Sequence, residues 1–431
     1  MAKGTAVHIL TLGCPKNEVD SRQMAIALTT AGYNVTDDPD QADAVVINTC
    51  AFIQAATEES IETVLQFATD WRPAASGRRI VVAGCMPSRY GADLRESLTE
   101  ADVFVPVSGE DTLVAELDRL FGAQTTPVIQ PSDIGQNSFA YLMVSDGCHR
   151  ACAYCTIPGI RGPYRSRPLD EIVAEAAQLV SNGARELVLV GQDTSAYGID
   201  LDKAVSLADV LEAVATTSGA DRVRLLYVQP DGVTDHLLHV MAAHDNVCRY
   251  LDIPLQHASA SVLGAMRRTG DAASFLSLLG RVRRSLPGVS LRTTFIAGFP
   301  GETEADVDEL ERFIRDASFD YAGVFVFSPE DGTLAATMPD QIPEAEKIAR
   351  ASRIREAADA MGASRAAARV GTVERVLVDE PDEDGDPVAR TIGQAPDIDG
   401  IVILDALVEP GSLVDVRIVE ALGYDLVGEL L

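Results

Sequence analysis

A cysteine follows each of three apolar runs in the N-terminal part of the chain, at 7–12, 43–48 and 79–84. The runs have the composition of buried parallel strands, and segments with helical spacing lie between them at 17–31 and 55–69. This alternation predicts a doubly wound α/β domain. Because ligands gather beyond the carboxyl ends of parallel strands, we expect the three thiols at one edge of the sheet. These strand-end cysteines are Cys14, Cys50 and Cys85.

A second set of cysteines stands in the run GCHRACAYC, with the spacing C-x3-C-x2-C. Three thiolates so close together can hold three irons of a 4Fe–4S cluster, and the fourth iron stays open to a small molecule, since such clusters normally take four cysteines. Zinc binding and burial as small hydrophobic residues are the alternatives. Zinc prefers paired C-x2-C units or added histidines, and His149 is the one histidine nearby. These loop cysteines are Cys148, Cys152 and Cys155.

The strand-end cysteines predict a second cluster site with three protein ligands. Small or turn residues flank each thiol in LGCPKN, NTCAF and AGCMP, which leaves room for an inorganic cluster. Three unrelated cysteines at the polar, accessible ends of strands are the alternative.

Length, charge and cysteine count narrow the class of protein. The 431 residues suffice for roughly two to four domains. No apolar run reaches the roughly 18 residues of a membrane helix, and the N-terminus lacks the pattern of a signal peptide, so we expect a cytoplasmic protein with reduced thiols. Seven cysteines fit poorly with a disulfide framework. The net charge of −30 disfavours a nucleic-acid phosphate backbone and favours a basic protein partner, or reflects solubility alone.

The sequence divides into four segments. Residues 1–121 form the first α/β domain, and residues 122–138, with Gly, Pro and polar residues, form a linker. Residues 139–369 show six strand runs separated by helical stretches, which predicts a partial, opened β/α barrel with its chemistry at the carboxyl ends of the strands. Residues 370–431 alternate in short runs broken by turns and predict a small antiparallel β-barrel. The six runs are 139–144, 186–191, 222–228, 248–253, 290–299 and 322–327.

With both cysteine sets and this order of domains, the chain resembles the methylthiotransferase family of radical S-adenosylmethionine (SAM) enzymes. The resemblance covers essentially the whole chain. It implies an N-terminal cluster domain, a central radical SAM domain and a C-terminal barrel of the TRAM type. It also implies two 4Fe–4S clusters and SAM as cofactors.

Within that family, the chain is most similar to the branch that acts on the β-carbon of an aspartate in small-subunit ribosomal protein twelve. The branch that modifies an adenosine of transfer RNA typically has a GCQMN-like first motif and an asparagine at the position of Asp193. Cys248 belongs to neither cysteine set and is expected to be a buried structural residue. The stretches that carry the similarity are LGCPKN (12–17), GQDTSAYG (191–198), YLDIPLQHAS (250–259) and TFIAGFPGET (294–303).

The resemblance further implies a division of work between the two cysteine sets. The loop cysteines would hold the cluster that cleaves SAM to a 5′-deoxyadenosyl radical, which an unactivated C–H bond requires. The strand-end cysteines would hold the auxiliary cluster that delivers the methylthio group. No catalytic residue beyond these cluster ligands is predicted.

Five side chains are candidates for contacts with SAM. Tyr154 stands beside the cluster loop and could pack on the cluster, on adenine or in the core. Gln192 and Asp193 follow a strand, where polar groups reach either ligands or solvent. Gln256 and Arg292 are candidates of the same kind.

The distribution of charge bears on the substrate. Residues 371–431 contain fifteen acidic residues and three arginines, a net charge of −12. An RNA-binding barrel would present basic or aromatic residues, whereas this composition attracts a Lys- and Arg-rich ribosomal protein, free or within the ribosome. We therefore expect ribosomal protein twelve as the substrate, a flavodoxin or ferredoxin as the electron donor, no membrane, and a monomer. The alternatives are a transfer RNA methylthiotransferase and an iron–sulfur electron carrier.

Overall fold

The computed structural model describes residues 4–75, 77–123, 138–202, 204–382 and 384–431. Within the described residues, the chain forms two compact units. The first spans Met1–Gly135 with Gly147–Arg150 and Cys155–Tyr164, and the second spans Gln136–Asp146, Ala151–Tyr154 and Arg165–Leu431. Most of the predicted linker, 122–138, lies outside the described residues. Among those that are described, no helix is both long and apolar enough to cross a membrane.

The first unit contains a five-stranded parallel sheet in the order β2-β1-β3-β4-β5. Its strands are β1 (Ala6–Thr11), β2 (Asn34–Val35), β3 (Ala44–Thr49), β4 (Arg79–Gly84) and β5 (Val103–Pro106). Its helices are α1 (Pro15–Thr30), α2 (Gln54–Gln66), α3 (Cys85–Ser97), α4 (Leu113–Phe121) and α5 (Ile157–Arg161).

Both faces of this sheet are covered by helices. Because side chains alternate along a strand, Val45 and Ile47 of β3 enter one core and Ala44 and Val46 enter the other. The first core takes residues of α2 and α3, and the second takes residues of α1 and α4. The predicted doubly wound arrangement is therefore confirmed.

The second unit begins with parallel strands alternating with helices. The strands form two runs in the orders β10-β9-β6 and β11-β12-β13, with an isolated parallel bridge between Val223 and Val247. This is the expected partial barrel. Its strands are β6 (Phe139–Met143), β9 (Glu186–Val190), β10 (Arg222–Leu225), β11 (Tyr250–Asp252), β12 (Ser290–Ala297) and β13 (Tyr321–Val326), and the short pair β7 (Ser145–Asp146) and β8 (Arg165–Ser166) lies between β6 and β9 in sequence.

The helices of this part supply the outer layer of its core. Alternate residues of β12, such as Leu291 and Phe295, pack with helical residues such as Leu310 and Phe313, whereas Arg292 points to the opposite face. The helices are α6 (Leu169–Ser181), α7 (Leu207–Thr217), α8 (Asp235–Ala243), α9 (Ala260–Ala265), α10 (Ala272–Ser285), α11 (Glu304–Ala317) and α12 (Glu344–Ala367).

The C-terminal strands close into a five-stranded barrel, in the order β14-β15-β16-β18-β17. The expectation of a purely antiparallel barrel needs one correction, because β16 and β18 pair in parallel. An odd number of strands cannot alternate in direction all the way around a closed ring, so one neighbouring pair must be parallel. The strands are β14 (Val373–Val378), β15 (Val388–Thr391), β16 (Val402–Leu404), β17 (Leu413–Leu422) and β18 (Asp425–Leu430).

A buried ionic cluster joins the C-terminal barrel to the partial barrel within the second unit. Glu186 of β9 binds Arg224 of β10 (Oε1–Nε 2.6 Å) and Arg390 of β15 (Oε2–Nη1 2.9 Å), and all three side chains are at most 2% exposed. Arg390 also pairs with Asp379 at 2.6 Å. Breaking such a pair leaves an uncompensated buried charge, so these contacts fix β15 against β9 and β10.

Candidate metal centres

The strand-end cysteines occupy equivalent places in the first unit. Cys14 is the residue before α1, Cys50 directly follows β3, and Cys85 is the first residue of α3. Since β1, β3 and β4 are parallel neighbours, their carboxyl ends meet at one edge. The structure thus places the three cysteines at one edge of the sheet, as the strand pattern predicts.

Asn17 links two of these thiols and was not singled out by the sequence pattern. Its side-chain Oδ1 accepts hydrogen bonds from the thiols of Cys14 (3.7 Å) and Cys85 (3.9 Å). Its Nδ2 donates to the carbonyls of Leu12 (2.8 Å) and Thr49 (3.1 Å), and the residue is fully buried. The sequence signal that could have identified Asn17 is its position three residues after Cys14, in LGCPKN.

Gly13 permits the close approach of Cys50. Its φ is +97°, a left-handed conformation that glycine adopts without strain. A Cβ at this position would lie 2.6 Å from Cys50 Cβ and 3.0 Å from its Sγ. A side chain here would therefore displace the thiol.

Burial favours the protonated form of two of these thiols. It raises the pKa of Cys85 to about 12, and the Arg161 guanidinium offsets part of the rise. Burial also raises the pKa of Cys50, and the electrostatic effect of the neighbouring Cys14 increases this rise. Because the thiolate is the form that binds metal, loading the site with iron must release protons.

The donor set fits an iron–sulfur cluster. In the described part of the chain, no three His, Cys, Asp or Glu side chains converge on a point where one metal ion would bind them all. The ligands of a cluster bind separate irons, so they need no common point, and thiolates are the ligands that such clusters take. All seven cysteines are free thiols.

Of the loop cysteines, Cys148 and Cys155 lie in the first unit and Cys152 lies in the second. In the first unit, the Cys148 amide donates to the Gly162 carbonyl at 3.3 Å, and the Arg150 amide donates to Cys148 Sγ at 3.4 Å. In the second, the Arg268 guanidinium donates to Cys152 Sγ at 3.8 Å. Cys148 is buried, whereas Cys152 and Cys155 are half-buried and accessible to iron.

Gln192 has a buried, unsatisfied side-chain amide, which is a property of ligand-binding side chains. It follows β9 at the carboxyl end of the strand, and both atoms of its side-chain amide are buried without a hydrogen-bond partner among the described residues. Buried amides are normally paired, so this one has capacity for a polar ligand. The adjacent Asp193 is fully buried and accepts a hydrogen bond from Ser195 at 2.5 Å.

Gln256 is held in an unusual backbone conformation near the same strand ends. Its φ is +72°, and its backbone is fixed by bonds to Thr294 O and from Ile296 N, each 2.8 Å long. Tyr227, after β10, also has a positive φ of 61°. Such conformations cost free energy and cluster at functional sites.

Tyr154 and Arg292 have partners in the second unit that give them structural roles. The Tyr154 ring meets Phe299 edge-on, with centroids 6.5 Å apart. Arg292 lies near the start of β12 and pairs with Asp252 (3.1 Å) and Asp399 (3.3 Å). A role in SAM binding stays a prediction for both.

Cys248 is fully buried, as expected for a structural cysteine, and burial raises its pKa to about 11.

Family models match three parts of the chain. Residues 6–106 match the uncharacterized protein family UPF0004, residues 142–314 match the radical SAM superfamily, and residues 370–431 match the TRAM domain. The order of these matches agrees with the order of segments expected from the sequence.

Curated relatives align with the chain from end to end. The protein of Syntrophus aciditrophicus named ribosomal protein uS12 methylthiotransferase RimO is 40% identical over 99% of this chain and 98% of its own length. The protein of the same name from Moorella thermoacetica is 41% identical over 98% of this chain and 99% of its own. The chain belongs to the ribosomal protein uS12 methylthiotransferase family. The expected cofactors, SAM and two 4Fe–4S clusters, are those of this family.

Solved structures with low sequence identity share the fold. The radical SAM methyltransferase TsrM from Kitasatospora setae superposes with a TM-score of 0.59 at 14% identity, over 77% of this chain and 74% of its own. The cobalamin-dependent radical SAM enzyme OxsB superposes with a TM-score of 0.52 at 12% identity, over 81% of this chain and 56% of its own. These likenesses concern architecture alone.

Proposed function

We propose that this chain transfers a methylthio group to ribosomal protein uS12, at the β-carbon of an aspartate. The observation that carries the proposal is the end-to-end identity of about 40% with curated proteins of that name. The meeting of the strand-end thiols in the first unit supports it, because this chemistry needs a cluster besides the one that cleaves SAM.

The two cysteine sets divide the cofactors between them. The loop cysteines hold the cluster that takes SAM, and the strand-end cysteines hold the auxiliary cluster. When bound, these groups supply a carbon-centred radical and the sulfur that is transferred. The polypeptide itself supplies ligands, orientation and exclusion of water around the buried thiols.

Polar side chains at the strand ends of the partial barrel orient SAM. The unpaired amide of Gln192 offers both a donor and an acceptor, and Asp193 offers an acceptor next to it. Gln256, fixed in its backbone, is assigned to the same ligand. Tyr154 and Arg292 are assigned more remote contacts, since each already has partners in the protein.

The acidic C-terminal barrel favours a protein substrate over RNA. Its net charge of −12 over residues 371–431 attracts a basic ribosomal protein and repels phosphates. A transfer RNA substrate is therefore the less supported alternative. A ribosomal substrate is consistent with activity in the cytoplasm, where a flavodoxin or ferredoxin would deliver electrons to a monomeric enzyme.

Mass spectrometry of uS12 tests the proposal. A strain that lacks this chain should yield uS12 without the methylthio group, and a plasmid copy should restore it. Unmodified uS12 in both strains, with a methylthio group lost from transfer RNA on deletion, would instead establish the RNA alternative.

The assignment of the cysteines has its own test. The variant Cys14→Ala/Cys50→Ala/Cys85→Ala should still cleave SAM but should not methylthiolate uS12. Cys248→Ala, which removes a buried cysteine outside both sets, is the matched control and should retain both reactions. Methylthiolation by the triple variant would refute the division of work.

A further inference from the structure

Arg161 is a buried cation at the strand-end thiols that the sequence pattern did not single out. It ends α5, six residues after Cys155, and its side chain is 2% exposed. The segment Cys155–Tyr164 belongs to the first unit, and Ile160 packs in the core beneath α2 and α3. The segment that carries a loop cysteine thus also carries this arginine to the other cysteine set.

The guanidinium of Arg161 is tied to three groups of the thiol site. Its Nη2 donates to Asp20 Oδ2 at 2.6 Å and to Asn17 Oδ1 at 3.0 Å, and it lies 4.0 Å from Cys85 Sγ. Asn17 in turn accepts from the thiols of Cys14 and Cys85. The arginine therefore contacts one thiol directly and holds the amide that spans two of them.

A buried ion pair is weak evidence for a stabilising role. The Asp20 side chain is 6% exposed, so both charges have been removed from water. The cost of that removal commonly equals or exceeds the attraction between the charges. A positive charge and an N–H donor beside a thiol have a different consequence, since net charge and hydrogen bonds to the sulfurs set the reduction potential of a cluster.

We propose that Arg161 is a positioning residue that raises the reduction potential of the auxiliary cluster and that Asp20 moderates this effect. Reduction adds one negative charge to a cluster, which the guanidinium stabilises and the Asp20 carboxylate destabilises. The inference rests on the proposed function, because it takes the strand-end cysteines as the auxiliary ligands. It assigns to the pair a role that a purely mechanical anchor of α5 would not have.

The test uses a full chain that carries the auxiliary cluster alone. With Cys148→Ala/Cys152→Ala/Cys155→Ala as the parent, reconstitution should give about four irons per chain. Redox titration followed by electron paramagnetic resonance then gives the midpoint potential. Arg161→Gln should lower it, Asp20→Asn should raise it, and Arg161→Lys should leave it close to that of the parent.

Arg78→Gln is the matched control. Arg78 is also a buried arginine of the first unit, but its guanidinium donates to the carbonyls of Trp71 and Asp40, each at 2.6 Å. Its replacement should leave the potential unchanged. A shift equal to that of Arg161→Gln would mean that any lost buried arginine disturbs the cluster, and would overturn the inference.

The remaining outcomes separate this inference from the proposed function. Opposite shifts for Arg161→Gln and Asp20→Asn support it, whereas unchanged potentials at full iron content, or iron loss alone, overturn it and leave the cysteine assignment intact. If Arg161→Gln does not fold, the other two variants test the inference. A higher midpoint potential in Asp20→Asn and an unchanged one in Arg161→Lys would support it, and any other result would overturn it. A parent that takes up no cluster overturns the cysteine assignment and this inference with it.

Discussion

At the scale of single residues, the thiol site depends on Gly13 as much as on the cysteines. Its left-handed φ turns the chain between β1 and α1, and its missing side chain admits Cys50. Neither property is a matter of metal chemistry. Both decide whether three thiols on separate βα units can reach the same cluster.

Gly13→Ala should therefore impair the auxiliary site. The added Cβ meets Cys50 and the residue must hold a positive φ, which together cost roughly 2–4 kcal/mol. We expect a lower thermal unfolding temperature. When Gly13→Ala is introduced into the parent that carries the auxiliary cluster alone, we also expect less iron per chain than in that parent. Gly77→Ala is the control, because Gly77 has φ +90° and a Cβ added there would meet nothing within 4 Å. Equal iron content in the two variants would contradict the argument.

The buried carboxyl group of Asp399 should make the free energy of unfolding depend on pH. Its side chain is fully buried, and burial raises its pKa from 3.8 to about 6, although Arg292 opposes the rise. A raised pKa means that its contribution to stability is complete below about pH 4 and is lost as the pH rises through about 6. Two pKa units correspond to about 3 kcal/mol.

The measurement compares the chain with Asp399→Asn, which cannot ionise. As the pH rises from about 4 to about 6, the free energy of unfolding of the unsubstituted chain should fall relative to that of Asp399→Asn. Above about pH 6 the difference should stay constant. Chemical denaturation at a series of pH values gives this difference. A difference that is independent of pH would contradict the buried, ionising state of Asp399.

At the scale of elements, buried ion pairs link β15 to β9 and β10. Burial alone would raise the pKa of Glu186, but Arg224, Arg390 and Arg222 outweigh it and lower the pKa to about 2. The carboxylate is therefore charged throughout the physiological range. Arg390, from the C-terminal barrel, is one of the cations that keep it charged.

Arg390→Met should loosen this junction. It leaves Glu186 and Asp379 without a cation between them, a loss of about 3–5 kcal/mol for a broken buried pair. Calorimetry should show a lower unfolding temperature, and limited proteolysis should release the C-terminal barrel sooner. Arg417→Met, on the exposed face of β17, should change stability by less than about 0.5 kcal/mol. Similar losses for both would show that the ionic cluster does not hold the junction.

At the scale of the whole molecule, the net charge bears on the proposed choice of a basic partner. The net charge of −30 is spread over the chain, and the segment that forms the C-terminal barrel contributes −12 of it. Opposite charges on two proteins raise the rate of encounter and make it sensitive to salt. Recognition of a basic ribosomal protein should show both effects.

Reversing charges in the loop between β14 and β15 should slow association with uS12. We expect a fall in the association rate of roughly tenfold at low salt and a weaker dependence on salt, measured by stopped flow or surface plasmon resonance. The control reverses as many exposed charges on α2 and should have a smaller effect. Equal effects would assign recognition to net charge alone. The loop changes are Glu380→Lys, Asp384→Lys and Asp386→Lys, and the control changes are Glu58→Lys, Glu59→Lys and Glu62→Lys.

Much of the architecture could be predicted because periodicity reflects burial directly. The apolar runs at 7–12, 43–48 and 79–84 became β1, β3 and β4 within one residue at each end. The helical stretch expected between the strand runs 290–299 and 322–327 became α11, which Thr303 caps together with Asp306. The parallel pair in the C-terminal barrel was missed, since the direction of a strand leaves no trace in its own pattern.

By itself, the sequence determined the elements, the two cysteine sets and the family, because spacing along the chain carries that information. Only the tertiary structure decided what surrounds the thiols. Asn17, Asp20 and Arg161 are drawn from α1 and from a segment more than a hundred residues later, so no local pattern could join them. The charges of Asp20 and Arg161 act through space, and distances in space are set when the helices pack against the sheet.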